Sequence, residues 1–258
     1  MRLDKKYIEA SLKSTGFPLE VATMNILVSL DIDARPSDPY SDVDTGKTRE
    51  IDIHALDFYP SSEEVFLGNM SKKRRIVVHY IVECKNNSAN AWIFFTNATY
   101  QNLEPIDFNF KSEKEIYLES NKLEKAVHHF QGGKKLHISF TEIPPKEKSL
   151  VYDAISSAVK AVNFYYDKYA AEKILHLFIP VIVLHDNLWS ASMSGKSSTS
   201  KLKLREECCV IGMHHTIGDK YGGYILYFVV KESYLKKFLL DFRILAKVIN
   251  SEWAKGNI

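Results

Sequence analysis

Apolar and polar positions along this chain follow two rhythms. At residues 49–59, Ile51, Ile53 and Ala55 face one way while Glu50, Asp52 and His54 face the other, the period-two pattern of a strand. Residues 74–85 are rich in β-branched side chains (Ile76, Val77, Val78, Ile81, Val82) and predict a second strand, and AWIFFTN at 91–97 predicts a third. The nearly continuous apolar run at 175–185 reads as a central strand buried on both faces. Two further strands are expected at 207–214 and 223–231. The other rhythm is helical. Val151, Ala154, Ile155, Ala158, Val159 and Val162 recur at helical spacing within 149–171, and Leu235, Phe238, Leu239, Phe242, Leu245, Ala246, Ile249 and Trp253 do so at the end of the chain.

Helices are also expected at 3–14, with Gly16 just past its end as a left-handed cap, and after it with Pro18 as the first helical residue. The second carries Leu19, Val21, Met24, Ile26 and Leu27. The polar segment 31–48, with Pro36, Pro39 and Gly46, reads as a loop, as does SASMSGKSSTS at 190–200. Residues 100–148 resist a simple reading. They hold a strand at 136–143 and a charged, helical piece at 112–130, and read as a variable insertion. No repeat or long linker divides the 258 residues, so one α/β domain is expected, a central mixed β-sheet flanked by α-helices.

Composition narrows the picture. Thirty-four Lys and Arg against 32 Asp and Glu give a net charge of +2, too little to mark a polyanion ligand. A nucleic-acid site must therefore come from local clusters: Lys72, Lys73, Arg74 and Arg75, the turn 131–135, or Lys196, Lys201, Lys203 and Arg205. The first reads equally as phosphate contact or solubilising turn, and the other two could contact phosphates without being specific. Three cysteines, Cys84, Cys208 and Cys209, make neither a disulfide framework nor a zinc motif, which points to a reducing cytoplasm. No apolar leader stands at 1–13, and no stretch approaches the ~20 apolar residues of a membrane span.

The candidate chemistry lies on the first two strands. Side chains two apart on a strand share a face, so Glu83 and Lys85 of IVECKNN stand together with Cys84 reversed. If the strands pair, Asp52 comes near Glu83. Two carboxylates with the Cys84 backbone carbonyl make a hard-oxygen site suited to Mg²⁺ or Mn²⁺. Lys85 would then position or deprotonate a water and offset developing charge. His54 on the same face reads as a hydrogen-bonded neighbour, and Glu50 as a solvated residue at the strand start.

An acid on one strand followed by an acid-x-Lys triplet on the next, Asp52 then Glu83-Cys84-Lys85, resembles the restriction-endonuclease-like (PD-(D/E)XK) nuclease superfamily. GFPLE, REIDIHA, VECKNN and AWIFF stand in that order across residues 16–97. Ile51 replaces the proline of the family's name, and the glutamine-rich helix of some exonuclease branches is missing from VYDAISSAVKAV. The resemblance implies a restriction-endonuclease-like core and a Mg²⁺-dependent deoxyribonuclease. It implies Asp52 and Glu83 as metal ligands, Lys85 at the nucleophile, and Glu20 on the preceding helix as a further ligand or, equally, a helix-start acid. Duplex cutters of this kind often work as homodimers, although no stretch of sequence marks an interface. A catalytically silent nucleic-acid-binding module of a defence or repair system is the alternative, and a hydrolase of another phosphorylated substrate on an unrelated fold is a weaker third.

Other motifs fall short. Gly195-Lys196-Ser197 lacks the earlier glycine of a phosphate loop, where Ser190 stands. His128-His129 and His214-His215 lack chelating spacing. There is no Gly-x-Ser-x-Gly elbow. Trp92, Phe94 and Phe95 read as core before base-stacking surface.

Overall fold

The chain builds its sheet outward from the run at 175–184, where every residue is buried. In the computed structural model, which describes residues 4–59, 76–96, 103–111, 120–132, 136–145, 149–170, 174–194, 201–215 and 224–255, this run is β7 (Leu175–Leu184). β3 (Ile76–Lys85) pairs with it in parallel along its whole length, from Ile76 opposite Leu175 to Lys85 opposite Leu184. On the other side of β3, β2 (Thr48–Tyr59) runs antiparallel, and β1 (Asp33–Ser41) pairs antiparallel with β2 at the sheet edge. β11 (Tyr224–Lys231) lies parallel to the far side of β7. Beyond it come β10 (Cys209–His215), β6 (Leu136–Ile143), β4 (Ala91–Thr96), β8 (Leu188–Ser194) and the edge strand β9 (Lys201–Glu206). A short β5 (Asn109–Lys111) pairs antiparallel with the start of β7.

Helices cover both faces, as an α/β sheet buried on both sides requires. On one, α4 (Leu150–Lys168) sets Val151, Ile155, Val159 and Val162 against Ile81, Phe178 and Ile182. On the other, α2 (Phe17–Val28), α3 (Asn121–Gln131) and α5 (Glu232–Lys255) pack over Val78, Tyr80 and Val82. Phe242 anchors that side, with ring centroids 5.2 Å from Phe130 and 5.8 Å from Tyr80. Burying such a side chain contributes ~1.5–3 kcal/mol, and Phe242→Ala would cost ~3–5 kcal/mol through the cavity left behind. Among the described residues, no helix is long and apolar enough to cross a membrane.

Several expectations need correction. The segment read as a loop at 31–48 contains β1. Its prolines are tolerated because β1 is an edge strand, and Ser37, at φ 49°, is passed over between the pairs Pro36–Ile53 and Asp38–Ile51. The loop expected at 190–200 is in part β8, paired from Trp189–Glu206 to Ser194–Lys201 with β9; residues 195–200 lie outside the described set. Gly16 is not a left-handed cap. Helix α1 (Lys5–Ser14) ends at Thr15, and Gly16, at φ −72°, caps the start of α2, which makes Pro18 the second helical residue. Within 100–148, β5, β6 and α3 are woven into the same sheet and core, with Leu103, Phe108, Leu123 and Phe130 buried. The basic run 72–75, residues 133–135 and Lys196 lie outside the described residues.

Candidate active site

The β2–β3 ladder runs from Tyr59–Ile76 to Ile53–Val82. Asp52 and Glu83 are the next residues on the two strands. There the Asp52 carboxylate accepts the Cys84 backbone N–H at 2.7 Å. A side chain thus satisfies a backbone donor just past the last ladder pair, and this pins Asp52 to the end of β3. Glu83, buried on the α4 side, accepts Lys85 Nζ–H through Oε1 at 2.5 Å. Its other oxygen, Oε2, is buried with no hydrogen-bond partner. Glu20 reaches the same strand end from α2: its Oε1 and the Cys84 carbonyl oxygen lie 3.4 and 3.9 Å from the point where a Gly16 Cβ would sit.

Electrostatics tie these four groups together. Burial pushes the Glu83 carboxyl up to about 7, the negative charges of Asp52 and Glu20 add to this, and Lys85 opposes it. Burial also raises Asp52, outweighing the Cys84 N–H and the Lys85 charge. Glu20 is raised by burial and by Asp52. Burial alone would lower Lys85, but the Glu83 and Asp52 carboxylates outweigh it and hold the ammonium above its ordinary value. Lys85 is therefore protonated at neutral pH and acts here as a donor, not as a base.

The structure brings Asp52, Glu83 and Lys85 together at one strand end, with Glu20 and the Cys84 carbonyl beside them. It does not gather the Glu20, Asp52 and Glu83 oxygens within 4.8 Å of one another. Among the described residues, the one His/Cys/Asp/Glu group that meets that distance is the exposed set Glu104, Glu124 and His128, far along the chain. The donors at the strand end nonetheless suit a small divalent cation. They are hard oxygens in a semi-buried place, and Glu83 Oε2 is a buried acceptor with nothing to accept.

Sequence reasoning missed two supports. Asn87, buried two residues past Lys85, bonds both Asp186 backbone groups: its amide donates to the carbonyl, and its oxygen accepts the N–H at 3.1 Å. This locks the end of β3 to the end of β7. The second is a buried histidine file across β1, β2, β3 and β7. His54 Nδ1 lies 2.7 Å from Asp38 Oδ2, His54 Nε2 lies 3.1 Å from His79 Nδ1, and His79 Nε2 lies 2.8 Å from His176 Nδ1. An ionised carboxylate only accepts, so His54 donates from Nδ1 and must accept at Nε2. The same logic then places the protons of His79 and His176 on Nδ1. Tyr165 donates to Asp38 at 2.5 Å, which anchors the file under α4. His54 is thus the hydrogen-bonded neighbour its position suggested, and Glu50 is exposed. Trp92 and Phe94 are fully buried, and Phe95 is half-buried.

No family model, curated protein or solved structure matches this chain.

Proposed function

We propose that the chain is a divalent-metal-dependent phosphodiesterase with a restriction-endonuclease-like core, cutting nucleic acid and most naturally DNA. One observation carries the reading. At the end of the β2–β3 ladder, Asp52 is pinned to the Cys84 N–H while Glu83 keeps one oxygen on Lys85 and the other without a partner. Asp52, Glu83 and the Cys84 carbonyl would hold Mg²⁺ or Mn²⁺, with Glu20 at its margin. Such an ion, when bound, polarises a phosphodiester and acidifies a water. The chain's own residues supply the rest. Asp52 keeps its orientation because the Cys84 N–H fixes one oxygen. Lys85, held protonated, offers an N–H donor and a positive charge to an attacking water or a developing phosphorane oxygen. Asn87 stops the strand end that carries Lys85 from drifting.

A second reading is favoured by one feature. The carboxylates do not close on one another, and Lys85 sits on Glu83 as a satisfied ion pair. A nucleic-acid-binding module that does not cut would look the same. Exposed Cys208 fits a reducing cytoplasm for either role. A homodimer would let two copies of the centre meet both strands of a duplex at once. The deciding experiment is nicking of supercoiled plasmid by wild type and Lys85→Ala in Mg²⁺, Mn²⁺ or EDTA. Nicking that needs both metal and Lys85 supports the nuclease. Plasmid binding unchanged in EDTA, with no nicking in any metal, supports the module.

A further inference from the structure

On the far half of the sheet, away from the Asp52–Glu83 strand end, a row of polar side chains crosses four strands. His137 on β6 stands opposite Thr96 on β4. Phe95 pairs with Ala191, so Thr96 and Ser192 of β8 are the next residues along. Ser192 stands opposite Lys203 on edge strand β9, and one step over, Ser190 stands opposite Arg205. Directly opposite residues share a face, so this register makes a patch of hydroxyls flanked by two cations. The patch lines a cavity of about 510 Å³, a size that takes a nucleotide. His137 and Ser190 form its buried floor, and Lys203 and Arg205 stand exposed at its mouth.

We propose that this cavity binds a phosphate monoester. The charge and donor inventory point to an anion. Ser190 Oγ donates to Glu207 at 2.7 Å, and Arg205 Nε lies 3.6 Å from the same carboxylate, so Glu207 offsets one cation. Lys203 makes no ion pair among the described residues, which leaves a net positive charge at the mouth. A monoester phosphate carries roughly −1.5 to −2 charges and several acceptor oxygens. It matches an ammonium, a guanidinium and the hydroxyl of Ser192, with the Thr96 hydroxyl, which donates to the Ala191 carbonyl at 3.4 Å, able to turn to it. Lysine and arginine on an edge strand also discourage strand-to-strand aggregation. That role needs neither the hydroxyl row nor a cavity behind it. The phosphate can come from a free nucleotide or from a nucleic-acid terminus, and the chemistry at the cavity is the same for both.

The test is calorimetric titration of the full chain in EDTA, which keeps it separate from any metal-dependent cutting. One arm compares adenosine 5′-monophosphate with adenosine. The other compares a short single-stranded oligonucleotide bearing a 5′-phosphate with its 5′-hydroxyl twin. Phosphorylated ligands are expected to bind about tenfold or more tightly than their twins, and Lys203→Glu should erase the difference while the fold is kept. Preference in the first arm alone identifies a free nucleotide, and preference in the second identifies a strand end. No preference in either arm overturns the proposal. So does a preference that survives Lys203→Glu, or one that is lost in Glu83→Gln, since the phosphate would then sit at the other centre.

Discussion

Asp52 and Cys84 meet through a hydrogen bond in which a side chain takes the place of a backbone partner, the Asp52 carboxylate accepting the Cys84 N–H at 2.7 Å. The bond separates two roles of Asp52, as a structural acceptor and as a charge. Asp52→Asn keeps an oxygen for the N–H and removes the charge, so its stability should stay within ~1 kcal/mol of wild type. Asp52→Ala leaves the N–H without its partner and should cost ~1–3 kcal/mol. Both should lose Mn²⁺ affinity by about tenfold or more, if two carboxylates share the ion. Denaturant unfolding and calorimetry read the two effects separately. Equal Mn²⁺ binding by Asp52→Asn and wild type would remove Asp52 from the metal site.

Glu83 should destabilise the metal-free protein. Its folded value near 7 stands above the ordinary carboxyl value, so its contribution is most favourable below about 4.5 and is lost as pH rises through 7. Glu83→Gln should therefore raise stability by ~1–3 kcal/mol at pH 8 and change it little at pH 4.5. Mg²⁺ should raise the melting temperature of wild type and not that of Glu83→Gln. A variant less stable than wild type at pH 8 would show that Lys85, left unpaired, outweighs the relief of the buried charge.

Lys85 is a donor in this structure, which makes Lys85→Met informative. Plasmid nicking should fall about 10²–10³-fold, the scale of losing one positioned donor to a transition-state oxygen. Plasmid binding should change by less than about threefold, since one charge among many phosphate contacts carries little affinity. Gel-shift and nicking assays on the same preparation measure both. Loss of binding in parallel with nicking would make Lys85 a grip on the strand instead.

Much of this was legible in the residues, and the gaps have physical causes. The acid-x-Lys triplet sets Glu83 and Lys85 side by side, as the strand period requires, but the alternation expected of REIDIHA breaks at Ile51, which packs with Ile81 on the α4 side while Ile53 and Ala55 pack on the opposite face. The hydrogen bond of Asp52 could not be read, because it depends on where the ladder stops. β1 was hidden by Pro36 and Pro39, which an edge strand tolerates and a central one would not. β8 was hidden because Ser190 and Ser192 face a cavity rather than a core, so the apolar side of the alternation is all that remains. His79 and His176 sit inside apolar runs of β3 and β7. Their meeting is set by a parallel register, Val77 opposite His176, between strands about a hundred positions apart.

The histidine file supplies the opposite pH dependence to Glu83. Burial lowers His79 well below its ordinary value, and the neighbouring His54 and His176 add to this. A depressed histidine contributes stability that is present above the unfolded value of 6.5 and is lost as pH falls below it, because the unfolded chain takes up a proton that the folded one refuses. Over the same descent from 7 to 4.5, Glu83 makes the folded state more favourable. In wild type the two slopes oppose each other, so stability should vary less between pH 7 and 5 than either group alone would make it. Glu83→Gln removes one slope and should expose acid lability, with stability falling by ~1.4 kcal/mol per pH unit for each excluded proton. Adding His79→Gln should lower stability at pH 7 by ~1–3 kcal/mol through broken hydrogen bonds, yet flatten that descent. Denaturant unfolding of the three proteins from pH 8 to 5 measures it. A Glu83→Gln curve as flat as wild type would mean that the file takes up protons while folded, and that its neutral arrangement is not what the fold protects.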